Sequence, residues 1–198
     1  MFFLRWIPTF LAFPLGGLGA MLLFGPLTNP LTGLGGGLLA GAIIGGAQWL
    51  ALGQRADWRW LVGTAAGMAV GLAASVLIVG PPTSPAAAIW TGLITGAVVG
   101  GAQGVVLWRR TDNRIAGRTR GVAIAAIWTG VVAVAWGAGW LVTSAVIVDI
   151  DRGHVVFGAS GALVATLLTG IALRLLVGGR PAPGKNVDGL VRTGLIPD

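Results

Sequence analysis

Residues 25–55 read GPLTNPLTGLGGGLLAGAIIGGAQWLALGQR, and residues 80–110 read GPPTSPAAAIWTGLITGAVVGGAQGVVLWRR. Set against each other without a gap, 14 of the 31 pairs are identical, against about three expected by chance in so Gly- and Ala-rich a chain. The stretch is therefore duplicated. It opens on the turn signal Gly-Pro-x-Thr-x-Pro, runs through about twenty apolar residues and ends on an arginine, Arg55 or Arg110. Such a run is long enough to cross the roughly 30 Å hydrocarbon core of a bilayer as a helix. A third, degenerate copy stands in GALVATLLTG, where Gly161, Ala165, Thr169 and Gly170 take the places of Gly37, Gly41, Gly45 and Gly46, and Ala172 replaces the glutamine.

Outward from the repeat, the 198 residues are 55% hydrophobic and 10% charged, with a mean hydropathy of +0.87, which excludes an ordinary water-soluble domain. Six spans are predicted, near residues 6–24, 33–52, 60–79, 86–108, 121–146 and 155–177. The predicted fold is all-α: a six-helix transmembrane domain over residues 1–178, built from three tandem two-helix hairpins (1–55, 56–115 and 116–178), with a tail over 179–198. Each hairpin crosses the membrane twice, so successive units keep the same orientation and imply a pseudo-threefold axis along the membrane normal. Pro14, inside the first span, is expected to kink it.

Charge orients the bundle. Twelve of the 13 cations fall on one side, from Arg5, Arg55 and Arg59 to Lys185 and Arg192, with Arg152 alone on the other. The positive-inside rule places both termini in the cytoplasm. The net charge of +7 is thereby read as attraction to anionic lipids on that face, and nucleic acid is not an expected partner. Trp6, Trp49, Trp58, Trp60 and Trp108 fall near the same interface, where indoles anchor helices. Trp128, Trp136 and Trp140 fall deeper or towards the outer end, where packing or lipid contact is expected.

Glycine sets the packing. Gly33, Gly37, Gly41 and Gly45 recur every fourth residue, as do Gly63, Gly67 and Gly71, and Gly92, Gly96, Gly100 and Gly104. Lipid offers helices no hydrophobic drive to associate, so they depend on the close van der Waals approach that such small-residue rows permit. The rows serve internal packing or face a separate subunit.

Chemistry-bearing residues are few. Cysteine, tyrosine and glutamate are absent, and His154 is the one histidine. With no nucleophile, base and metal constellation, no enzyme is predicted. No Asp, Glu, Lys or His is predicted near the bilayer centre, where proton relays and ion-coupled transporters carry them. Gln48 and Gln103 are the most polar side chains well inside the spans, and each needs a hydrogen-bond partner. They pair between helices or, alternatively, face a ligand, lipid headgroups or a polar cavity. Asp149, Asp151 and His154 have a spacing that suits a divalent cation, and a solvated loop accounts for them equally; no metal is predicted. No cofactor is predicted, although a bound lipid or pigment is open.

The repeated Gly-Ala-x-x-Gly-x-Ala-Gln segment, followed by Trp49 in the first copy and Gly104 in the second, resembles bacterial multi-pass membrane proteins with Gly-Ala-x-x-Gly-x-Ala-Gln-Trp hairpins. The resemblance covers roughly the first two hairpins and implies a helical fold in the cytoplasmic membrane, without an activity. The expected function is a non-enzymatic accessory or scaffold subunit packing through glycine faces against a larger membrane complex and its lipids. The alternative is a small transporter, channel or lipid-binding protein with a cavity between the hairpins.

Overall fold

The protein is described by a computed structural model over residues 2–109, 115–146 and 158–177. Asp149, Asp151, His154 and the 179–198 tail lie outside the described residues. Among those described, all regular structure is helical. The elements are α1 (Phe2–Trp6), a 3-10 turn (Ile7–Leu11), α2 (Ala12–Phe24), α3 (Pro30–Leu52), α4 (Trp58–Val79), α5 (Pro85–Arg109), α6 (Ile115–Val146) and α7 (Ala159–Val177). They give six helices long and apolar enough to cross a membrane, with α1, the 3-10 turn and α2 forming the first. The exterior is correspondingly apolar: Leu22, Leu31 and Leu77 are each more than 70% exposed, as suits lipid. The chain is a multi-pass membrane protein.

The repeated Gly-Pro loops explain where helices stop and start. Gly25 and Gly80, at φ 76° and 88°, end α2 and α4 with N–H donations to Met21 O and Val76 O. Asn29 then caps α3, its Oδ1 accepting from the N–H groups of Leu31 and Thr32 at 3.0 Å, while Thr32 Oγ1 accepts from Asn29 N–H at 3.2 Å. At the equivalent place Ser84 Oγ accepts from Ala87 N–H at 3.2 Å. Pro30 and Pro85 occupy first helical positions, where no N–H is missed.

The first span departs from α geometry over Ile7–Leu11 and not at Pro14. Pro8 and Pro14 each deny a backbone N–H to the carbonyl four residues earlier. Pro8 is the second residue of the 3-10 turn and Pro14 lies three residues beyond its end, and Thr9 Oγ1 donates to Trp6 O at 2.7 Å. Pro14 itself sits in the opening turn of α2, where a proline costs little.

Helices neighbouring in sequence pack together all along the chain, and α7 packs back on the 3-10 turn and α2, closing a ring. Each glycine row meets the next helix. A Cβ on Gly37 would lie 2.6 Å from Met68 O, and one on Gly41 2.7 Å from Ala65 Cα, so α3 lies directly on the α4 backbone. Gly67 and Gly71 likewise meet Val99 and Thr95 of α5, while Gly63 has more room. Gly92, Gly96, Gly100 and Gly104 meet Trp136, Val132, Thr129 and Ala125 of α6. Gly33 and Gly45 complete the α3 row against Ala73 and Thr64. All three rows are used within the chain.

Candidate functional site: a polar layer beneath an apolar cavity

The largest side chains that are wholly buried are Trp6, Trp60 and Trp128; Trp6 and Trp60 directly follow Arg5 and Arg59, and Trp128 lies eight residues beyond Arg120. An indole N–H can only donate, so burial obliges each to find an acceptor. Trp60 Nε1 donates to Gln48 Oε1 at 3.1 Å, and Trp128 Nε1 donates to Gln103 Oε1 at 3.1 Å. With each amide oxygen turned to its tryptophan, Gln103 Nε2 donates to Gln48 Oε1 at 3.2 Å and to Thr64 Oγ1 at 2.8 Å. Thr64 Oγ1 in turn donates to Trp60 O at 2.8 Å. The two indoles approach at 5.9 Å between centroids. A single network thus joins α3, α4, α5 and α6.

The third unit, where Ala172 stands in place of glutamine, solves the same problem with backbone. Trp6 Nε1 donates to Thr166 O at 2.9 Å, and the absence of a side chain at Gly170 makes room for the ring. Trp6 and Trp60 are thereby buried donors and not lipid-facing interface anchors; Trp58, 59% exposed, keeps that place. Sequence reading identified the glutamines and missed their tryptophan partners. The available signal was donor counting, since buried amide oxygens at this depth call for N–H groups and the nearby indoles supply them.

Towards the Gly-Pro loops, beyond this layer, lies a cavity of about 150 Å³. Its wall comes from α2 (Phe13, Met21), α3 (Thr32, Gly36, Ala40, Ile44), α4 (Met68, Leu72), Thr95 of α5, and Trp136 and Trp140 of α6. The loops contribute Pro26, Thr28, Pro81 and Thr83 at the mouth. From Thr32 to Ile44 the α3 wall rises about 18 Å. Phe13 and Trp136 meet edge to face at 5.5 Å near the deep end, and Gln48 follows one turn below Ile44. Neither glutamine is among the lining residues; their polar atoms face the indoles and each other instead. The lining carries no charged side chain.

Electrostatically the two ends differ. Arg5, Arg55, Arg59, Arg109 and Arg174 stand at the far end from the Gly-Pro loops. Arg5 donates to Leu50 O at 2.9 Å, at the negative end of the α3 dipole. Arg55 and Arg174 lie over the Phe2 and Phe3 rings at 5.9 and 5.6 Å. The loops 25–29 and 80–84 hold no charge. Three buried hydroxyls, Thr91, Thr95 and Thr166 Oγ1, have no hydrogen-bond partner. Comparison with protein-family models, with curated proteins and with solved structures finds no match.

Proposed function

We propose that this chain is a non-enzymatic integral membrane protein that holds an apolar guest inside its own helix ring. The observation that carries the reading is the uncharged cavity, open towards the Gly-Pro loops and underlain by the tryptophan–glutamine layer. An apolar cavity of about this size stays dry when empty and accepts hydrocarbon guests. A through-pathway for ions or polar solutes would call for polar groups along its length. The lining offers Thr95 at depth and Thr28, Thr32 and Thr83 towards the mouth. The reading belongs to the lipid-binding alternative and places the glutamines in the scaffold.

On this proposal the three hairpins are related by a pseudo-threefold axis, which the three buried tryptophans support: each enters the preceding even-numbered span, Trp6 closing the circle on the last. The membrane is the bacterial cytoplasmic membrane and both termini face the cytoplasm, in keeping with the arginine-bearing end. Any accessory role in a larger complex rests on the apolar exterior, because the glycine rows are occupied within the chain.

Native mass spectrometry of the full-length protein released from lipid nanodiscs tests the reading. One retained guest per chain is expected in wild type and is lost in Gly36→Leu, whose side chain grows into the cavity. Wild-type protein that emerges with no bound mass overturns it.

A further inference from the structure

We infer that the guest is a single hydrocarbon chain of a lipid with an uncharged headgroup, inserted tail first between the Gly25–Asn29 and Gly80–Ser84 loops. The inference rests on the cavity reading above and names its occupant by shape and charge.

Shape comes first. Pockets for drug-sized, multi-ring ligands occupy about 300–1,000 Å³. This one holds about 150 Å³. That volume is distributed along about 18 Å of α3, from Thr32 to Ile44, so it is long and narrow. A fused-ring pigment or sterol is too wide, whereas a flexible chain matches both length and section. Methionines at 21 and 68 line it, and their unbranched, polarisable side chains adapt to a chain that varies in conformation.

Charge decides the head. The mouth lies at the ends of the spans, at the level of a bilayer's headgroups. There the two loops present Thr28 and Thr83, hydroxyls able to meet an ester or a free hydroxyl. No charged side chain lines this mouth, and Arg5, Arg55, Arg59, Arg109, Arg120 and Arg174 all occur towards the opposite end; Arg152, the one cation the sequence puts on the mouth's face, lies outside the described residues. Anionic headgroups are accordingly drawn to the arginine face and not to the cavity. Diacylglycerol is the simplest probe of the uncharged class.

The test uses full-length protein in nanodiscs doped with diacylglycerol carrying a diazirine far down one chain, against phosphatidylglycerol carrying the same chain. After photolysis, adducts are mapped by peptide mass spectrometry. Adducts at Ile44, Met68 or Trp136 are expected with diacylglycerol, roughly five-fold or more above phosphatidylglycerol, corresponding to about 1 kcal/mol of preference. Excess unlabelled diacylglycerol removes them in wild type, and Gly36→Leu removes them without competitor. Adducts at lipid-facing Leu22 and Leu77 stay constant and serve as the internal reference. Equal labelling of the cavity by phosphatidylglycerol overturns the headgroup inference and leaves the cavity reading standing. Adducts confined to the lipid-facing residues overturn both.

Discussion

At the scale of single residues, the two glutamines are unequal although the repeat makes them equivalent. Gln103 binds three partners, Trp128, Gln48 and Thr64, whereas Gln48 accepts from Trp60 and Gln103 through one oxygen. Gln103→Leu strands the Trp128 N–H and is expected to cost about 1–3 kcal/mol in SDS-driven unfolding, more than Gln48→Leu. The double variant should cost less than the sum, by about 0.6–1.7 kcal/mol, because the lost contact between the amides is shared. Additive losses would mean that the amides do not interact. Thr95 gives the opposite sign. Its hydroxyl is buried without a partner, so Thr95→Val should leave the unfolding midpoint unchanged or raise it. Glycine supplies a third contrast. Gly37→Ala presses a methyl group into the α4 backbone and should destabilise by about 1–3 kcal/mol, whereas Gly101, with nothing within 4 Å, should accept alanine without loss.

At the scale of elements, each Gly-Pro loop stops one helix and starts the next with the same parts: a glycine at positive φ, a cap, and a proline at the first helical position. Asn29→Ala removes both acceptor contacts of its cap and should lower stability by about 1 kcal/mol, and Ser84→Ala by less, since Ser84 serves one N–H at 3.2 Å. Equal losses measured by SDS unfolding would contradict this ordering. These boundaries were legible because they depend on local chemistry: α3, α4 and α5 begin within three residues of the predicted starts and end within one of the predicted ends. The 3-10 turn was not legible in Pro14, which lies three residues past its end; the proline it contains is Pro8. The rows at Gly37 and Gly96 announced close packing, but periodicity names a face and not its neighbour. Only the fold assigns α4 to the first and α6 to the second. The cavity was beyond sequence reading for a related reason: Phe13, Ile44, Met68 and Trp136 come from four helices, and nothing local distinguishes a wall residue from core.

At the scale of the whole molecule, absence of native cysteine makes orientation directly measurable. Single-cysteine variants at Asn29 and Ser84 should react with a membrane-impermeant maleimide on intact cells, and one at Gln54 only after permeabilisation. The reverse pattern would overturn the proposed topology. Closure of the ring adds a constraint of another kind, in time. Trp6 leaves the ribosome early, but its acceptor, the Thr166 carbonyl, is 160 residues later. At about 5–20 residues per second, synthesis takes roughly 8–32 seconds to span that interval. Throughout it, the Trp6 N–H lacks its final acceptor and is left to headgroups or water at the arginine-bearing end, while each later helix docks on a neighbour already made. Among the described hydrogen bonds, the one that closes the ring is therefore the one whose two partners are made furthest apart in time.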